Sequence, residues 1–199
     1  MMTKTVILYC HPYQESFSHA VLQTVTTHLA QSHADYQILD LYADGFDPVV
    51  DSSELALYAQ GGTHDALAKT YLTALQSATQ LILIFPVWWN DLPAMIKGFF
   101  DKVMKRGTDQ AYVATRTGLR GNLTQIRSTL ILTSSTSPTP YLRLFCGDSI
   151  NRVLIHSTLK QLGIKHVTWR NMGGITTSTI AKRTAFLGQI PKLLNAQVR

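Results

Sequence analysis

Three short segments hold the side chains whose types and spacing could do chemistry. HPYQESFS (11–18) contains His11, Ser16, Phe17 and Ser18. Hydroxyls at a helix entrance, backed by the free N–H groups of the first turn, make a phosphate site without added charge. His11 could donate to a phosphate oxygen and would gain proton affinity from it. The same residues also suit a plain turn with Ser16 as its helix cap. If a phosphate binds here, Glu15 should point outward. PVWWNDLP (86–93) sets Trp88 and Trp89 side by side on a loop bracketed by Pro86 and Pro93. Paired indoles suit a flat aromatic ligand, and they would also serve to cap a core. TSSTSPTPY (133–141) supplies Thr133, Ser134, Ser135 and Thr136 and ends in Tyr141. Donors there could cradle a polar ring edge, and a phenol can hydrogen-bond an oxygen that gathers negative charge. A mobile surface loop has the same composition.

These segments need elements to position them. LILIF (81–85) is an unbroken apolar run, expected as a strand buried on both faces. Met95, Ile96, Phe99, Phe100 and Val103 repeat at helical spacing over 93–105. Further strands are expected at 5–10, 36–41, 128–133 and 164–169. Helices are expected at 17–31, 52–59, 65–77, 148–162 and 178–196. Gly45 and Pro48 mark 42–51 as a loop, and 106–127 reads as irregular. Five strands alternating with helices imply one α/β domain over 1–199: a three-layer sandwich around a parallel sheet. The order 2-1-3-4-5 is favoured, a flavodoxin-like arrangement, because no GxGxxG follows the first strand. In that order the loops after strands one, three and four meet at one crevice.

Composition narrows the class. The chain has 199 residues, 45% of them apolar, enough for one core. No apolar run approaches the roughly 20 residues that span a bilayer. MMTKTVILYC lacks the apolar stretch and cleavage site of a signal peptide, so a cytoplasmic location and no membrane insertion are expected. Cys10 and Cys146 stand far apart and form no CxxC pair, which supports neither a disulfide nor a zinc site. Residues 1–96 hold two Lys/Arg against nine Asp/Glu, and residues 97–199 hold sixteen against three. The basic half could favour anions such as nucleotide phosphates, or be a solvated surface. It has no dense basic run, and no nucleic-acid partner is expected. A phospho-receiver domain would need acids where Cys10-His11-Pro12 and Phe85-Pro86 stand.

Phosphate donors, indoles and a hydroxyl-rich rim, taken in that order, match a flavin nucleotide: phosphate, ribityl chain, ring. Hydride chemistry would belong to the flavin, with the protein supplying position and electrostatics.

HPYQESFSHAVL resembles the flavin-phosphate turn of the NAD(P)H:quinone oxidoreductases, the DT-diaphorase-like flavodoxin-fold proteins. FPVWWNDLPAMIKGFFDKVMKRG, followed by AY, is similar to that family's most specific signature. The likeness runs over essentially the whole chain, which resembles the short bacterial members in lacking the long C-terminal extension of the mammalian-type enzymes. It implies FMN as cofactor, with FAD possible, and NAD(P)H as co-substrate. It implies that His11, Ser16, Phe17 and Ser18 bind the phosphate and ribityl part. Pro86, Val87, Trp88, Trp89 and Asn90 would line the ring, and Thr133, Ser134, Ser135 and Thr136 would approach its pyrimidine edge. Tyr141 would stabilise charge on the reduced flavin as the catalytic residue. The acceptor would be a quinone or other flat aromatic electrophile, reached by ping-pong kinetics in a homodimer. Two departures stand out. Ser135-Thr136 occupies a place where the family often has Gly-Gly, and Cys146 precedes Gly147-Asp148 where mammalian-type members have a relay histidine. Some short relatives are accessory subunits of potassium-efflux systems, so a flavin-binding regulatory protein is the alternative. A flavodoxin-type electron carrier fits poorly, because such carriers are usually acidic.

Overall fold

A computed structural model describes residues 4–197 of the chain. Five parallel strands form the main sheet in the order β2-β1-β3-β6-β7. They are β1 (Lys4–Tyr9), β2 (Asp35–Asp40), β3 (Gln80–Pro86), β6 (Ser128–Ser135) and β7 (Val167–Gly173). Counted within this sheet alone the order is 2-1-3-4-5, as the sequence predicts. β3 is central and buried along its whole length, which explains why LILIF shows no polar alternation. β2 is an edge strand and carries its exposed residues accordingly.

Helices cover both faces. α1 (Phe17–Gln31) and α6 (Ile180–Gln197) pack on one face, over Ile7, Ile82, Ile84, Leu130 and Leu132. α3 (Ala66–Ser77) and α4 (Ala94–Val103) pack on the other, over Val6, Leu8, Leu81, Leu83 and Ile131. The alternation of side chains along each strand feeds these two cores. The short α2 (Ser52–Leu57) leads into α3. Asp65 caps α3 by accepting from the N–H groups of Leu67 and Ala68.

Four local differences separate sequence and structure. The stretch 106–127, expected to be irregular, contains a hairpin of β4 (Tyr112–Thr115) and β5 (Gly118–Gly121). Gly121 lies so close to the backbone of Leu162 that a Cβ there would come within 1.9 Å of it. β6 runs on to Ser135, and a short α5 (Thr139–Leu144) follows where a polar loop is expected. The last strand begins at Val167, because Gly163 (φ 92°) ends the preceding helix and Ile164 N–H still bonds to Leu159 carbonyl. Finally, Ile150–Leu159 is π-helical. Its buried residues, Ile150, Leu154 and Leu159, are spaced by four and five, wider than an α-helical repeat.

Candidate active site

The loops after β1, β3 and β6 meet at the carboxyl ends of these strands, through His11 with Trp88 and Val87 with Ser134. Loop one leads into α1. Ser16 caps that helix, its hydroxyl accepting from the His19 N–H at 3.1 Å. The N–H groups of Phe17 and Ser18 lie in the first turn, where helical geometry supplies no acceptor. Ser18 is buried, and no acidic residue occupies that turn. Glu15 is exposed and accepts from the Tyr13 hydroxyl, clear of the helix entrance. Phe17 packs on Phe186 of α6, ring centroids 5.8 Å apart.

His11 is half-buried. Its Nδ1 accepts from the Tyr13 N–H at 3.1 Å, which leaves the neutral ring's proton on Nε2 as a donor. Burial holds its pKa below the ordinary histidine value. Cys10, next to it, is buried, and that burial, aided by Asp40, pushes its thiol up to about 12. It is therefore a neutral core side chain, not a nucleophile.

Loop two touches loop one: the rings of His11 and Trp88 meet edge to face, 6.1 Å apart. Pro86 closes β3, and the buried Val87 donates its N–H to the Ser134 carbonyl at 2.7 Å. This bond extends the β3–β6 ladder and joins loop two to loop three. Trp88 and Asp91 exchange N–H···O bonds of 3.1 and 3.0 Å around a two-residue turn. Trp89 (φ 50°) and Asn90 (φ 66°) both adopt the left-handed conformation. Trp88 is 41% exposed and Trp89 98% exposed. Trp89 covers no core, so it is not the cap that the sequence also allowed.

Loop three differs from the expectation of free hydroxyls. Thr133 and Ser135 are buried, and their side chains are engaged with β7. Thr133 Oγ1 accepts from Trp169 Nε1 at 2.9 Å and donates to Asn171 Oδ1 at 2.8 Å. Ser135 Oγ accepts from Asn171 Nδ2 at 2.8 Å and donates to the Ser137 carbonyl at 2.7 Å. Asn171 also donates to Thr139 Oγ1 at 2.9 Å. Ser134 is buried too, leaving Thr136 as the exposed hydroxyl of the group. Tyr141 sits on α5, 50% exposed, stacked on Phe145 at 5.5 Å.

Asn171, Trp169 and Gly173 were not expected in this region. A Cβ on Gly173 would stand 2.7 Å from the Thr139 backbone N, so glycine there permits the close approach of β7 to loop three. The signal was the WRNMGG stretch itself, at the carboxyl end of the fifth strand. Beside it lies a groove of about 380 Å³ lined by Pro138, Thr139, Asn171, Lys182 and Phe186 among others. Among the described residues no His/Cys/Asp/Glu group could hold a metal, and no helix is long and apolar enough to cross a membrane.

The residues at loop one fit a phosphate. Two serines, two first-turn N–H groups and a neutral imidazole donor gather at a helix N-terminus without an opposing acid. The Tyr9 hydroxyl, at the end of β1, is buried beside the Ser16 hydroxyl, and its ring lies 6.2 Å from that of His19 in the first turn of α1.

A parallel sheet of this order, with its ligand crevice at the strand carboxyl ends, defines the flavodoxin-like class. The chain belongs to the family described as Flavodoxin-like fold (Flavodoxin_2), whose model matches residues 3–191. It is 25% identical over 171 residues to an NAD(P)H oxidoreductase of Haemophilus influenzae, itself uncharacterized; the match covers 85% of this chain and 83% of that one. Mammalian relatives named ribosyldihydronicotinamide dehydrogenase [quinone] are matched over about half their length, 52% for the mouse protein at 28% identity. Among solved structures, the NAD(P)H:quinone oxidoreductase of Methanothermobacter marburgensis superposes with a TM-score of 0.84 at 24% identity, covering 96% of this chain and 97% of that one. An FMN-dependent NADH-azoreductase of Bacillus anthracis, solved with FMN, superposes at 0.77 with 18% identity over 97% and 99% of the two chains. At these identities the two superpositions show the fold.

Proposed function

We propose that the protein is an FMN-dependent NAD(P)H oxidoreductase that reduces quinones or similar flat aromatic electrophiles. One observation carries the reading: Trp88 meets His11 on one side, and its neighbour Val87 bonds to Ser134 on the other. The aromatic loop thus touches the helix entrance on one side and the polar rim on the other, which supports a flavin nucleotide held with its phosphate at the first and its ring toward the second. The oxidoreductase names of the relatives and the FMN of the azoreductase support it.

Bound FMN would supply the hydride chemistry, with NAD(P)H and the acceptor using one site in turn. The chain's own residues would bind and orient. Phe17 and Ser18 N–H groups, the Ser16 and Ser18 hydroxyls and His11 Nε2–H would hold the phosphate. Pro86, Val87, Trp88, Trp89 and Asn90 would line the ring. With the side chains of Thr133 and Ser135 committed to Asn171, the backbone of 133–136 and the Thr136 hydroxyl would meet the pyrimidine edge. Tyr141, as the catalytic residue, would hydrogen-bond an oxygen that becomes negative on reduction. The groove beside Phe186 and Lys182 offers room for the second half of FAD, the other cofactor compatible with this arrangement. Exposed Trp89, Tyr141, Leu144 and Phe145 favour a homodimer in which a second copy covers them.

Release of the chromophore from purified protein and determination of its mass tests the cofactor. Initial rates at varied NADPH and menadione test the mechanism: parallel reciprocal plots are expected, and intersecting ones exclude ping-pong turnover. A protein that holds flavin yet oxidises NAD(P)H with no quinone would instead be a regulatory, accessory subunit.

A further inference from the structure

The turn at Gly147–Ser149 lies outside the three loops, yet it reaches the aromatic loop at one point. Ser149 Oγ donates to the Asn90 carbonyl at 2.6 Å. That carbonyl closes a pair of left-handed residues, Trp89 and Asn90. Asparagine tolerates the conformation, whereas a residue as bulky as tryptophan adopts it only where its surroundings enforce it. Within its own sequence the turn has the two N–H···O bonds between Trp88 and Asp91 and a local bond from Leu92 N–H to the Asp91 carboxylate at 2.7 Å.

Ser149 is itself held in place. Gly147 (φ 78°) and Asp148 (φ 53°) form a second left-handed pair directly before it. Asp148 is buried and bonded in three directions. Its N–H donates to the Leu142 carbonyl at 3.1 Å, and its own carbonyl accepts from Arg152 N–H at 2.8 Å. Its Oδ2 accepts from Asn151 Nδ2 at 3.0 Å. The Ser149 hydroxyl therefore projects from a base anchored to both α5 and the π-helical segment.

We infer that Ser149 is a positioning residue. Its hydroxyl locks the Trp89–Asn90 turn in the left-handed form and so fixes the Trp88 ring against His11 before a ligand arrives. A wall set in advance spares the ligand the cost of ordering it. The inference rests on the reading that this loop lines the flavin.

Three variants test it: Ser149→Ala, Ser149→Thr, and Ser149→Ala in a Trp89→Gly background. Two readouts apply, amide hydrogen exchange at Trp88 and Asp91 in flavin-free protein and the Kd for FMN. Ser149→Ala should speed exchange at both amides and weaken FMN about five- to tenfold, the worth of one good hydrogen bond. Ser149→Thr keeps a hydroxyl and should restore both. Glycine at position 89 takes the left-handed conformation unaided, so there the Ser149→Ala effect, measured against Trp89→Gly alone, should shrink to under about twofold. Unchanged exchange in Ser149→Ala, or an equal loss in the Trp89→Gly background, overturns the inference. Failure of the unaltered protein to bind FMN overturns the functional reading instead, and the exchange data still decide whether Ser149 locks the turn.

Discussion

The indole N–H of Trp169 donates to the hydroxyl of Thr133, and that hydroxyl in turn donates to the side-chain oxygen of Asn171. Because Thr133 has a single proton, the direction of every bond in the chain is fixed, and Asn171 must present its NH₂ group to Ser135 and Thr139. Asn171→Ala would remove the partner of Thr133, Ser135 and Thr139 in part-buried surroundings. It should cost about 2–3 kcal/mol, measured by urea unfolding, since each lost bond of this kind is worth about 0.5–1.5 kcal/mol. Asn171→Asp lacks the NH₂ donors and should not rescue it.

His11 predicts a pH dependence. Burial lowers its pKa in the folded protein, so the fold favours the neutral ring. Stability from this residue is present above the unfolded value of about 6.5, falls as pH drops below it, and levels off below the folded value. A bound phosphate would favour the cation, at the cost of the Tyr13 N–H bond that the neutral Nδ1 accepts. FMN binding should then take up a proton and tighten as pH falls through about 6.5. Calorimetry in buffers of different ionisation enthalpy measures the uptake. In His11→Asn the part due to the imidazole should vanish.

Glu54 and Lys105 form a buried ion pair at 2.9 Å. Burial pushes the Glu54 carboxyl up, but Lys105, Thr63 and the His64 N–H outweigh it and hold the pKa at about 2. Its contribution is complete above the unfolded value of 4.5 and is lost as pH falls from there to about 2. Glu54→Gln should flatten the loss of stability across that window in acid denaturation. Lys105→Met would strand the carboxylate and should cost about 3–5 kcal/mol near neutral pH.

The two indoles should separate stability from function. Trp89 is almost wholly exposed in a left-handed conformation. Trp89→Gly should raise stability, as removal of left-handed strain is worth about 1–2 kcal/mol. It should nonetheless lower flavin retention or turnover. Trp88→Ala should weaken FMN binding with only a modest loss of stability. Thermal melts of the flavin-free variants, paired with FMN titrations, check both. Unchanged flavin affinity in the two variants would remove the loop from the site.

The sheet and its order were legible because burial on both faces leaves no freedom in composition: LILIF reads as a central strand whatever surrounds it. The three loops were legible because Pro, Trp and clustered hydroxyls mark them. What escaped notice depends on distant partners. The fate of the Thr133 and Ser135 hydroxyls is decided by Asn171, 38 and 36 positions away. The hairpin at 112–121 is anchored where Gly121 meets Leu162, again across the fold. The π-helical segment did leave a trace, in the spacing of Ile150, Leu154 and Leu159, but a 3.6-residue template passes over it. Ser149 gave no signal, since a serine before a helix is ordinarily read as its cap.

The first helix of the chain leans on the last. Phe17 rests on Phe186, and His28 meets the Asn195 side chain at 2.9 Å. During synthesis, the turn at 11–18 emerges well before Phe186 and Asn195, the residues that steady its helix. Domains generally settle as units, so an unfinished chain holds this turn without its support. If this turn holds a flavin phosphate as proposed, a nascent chain stalled before residue 180 should retain no flavin.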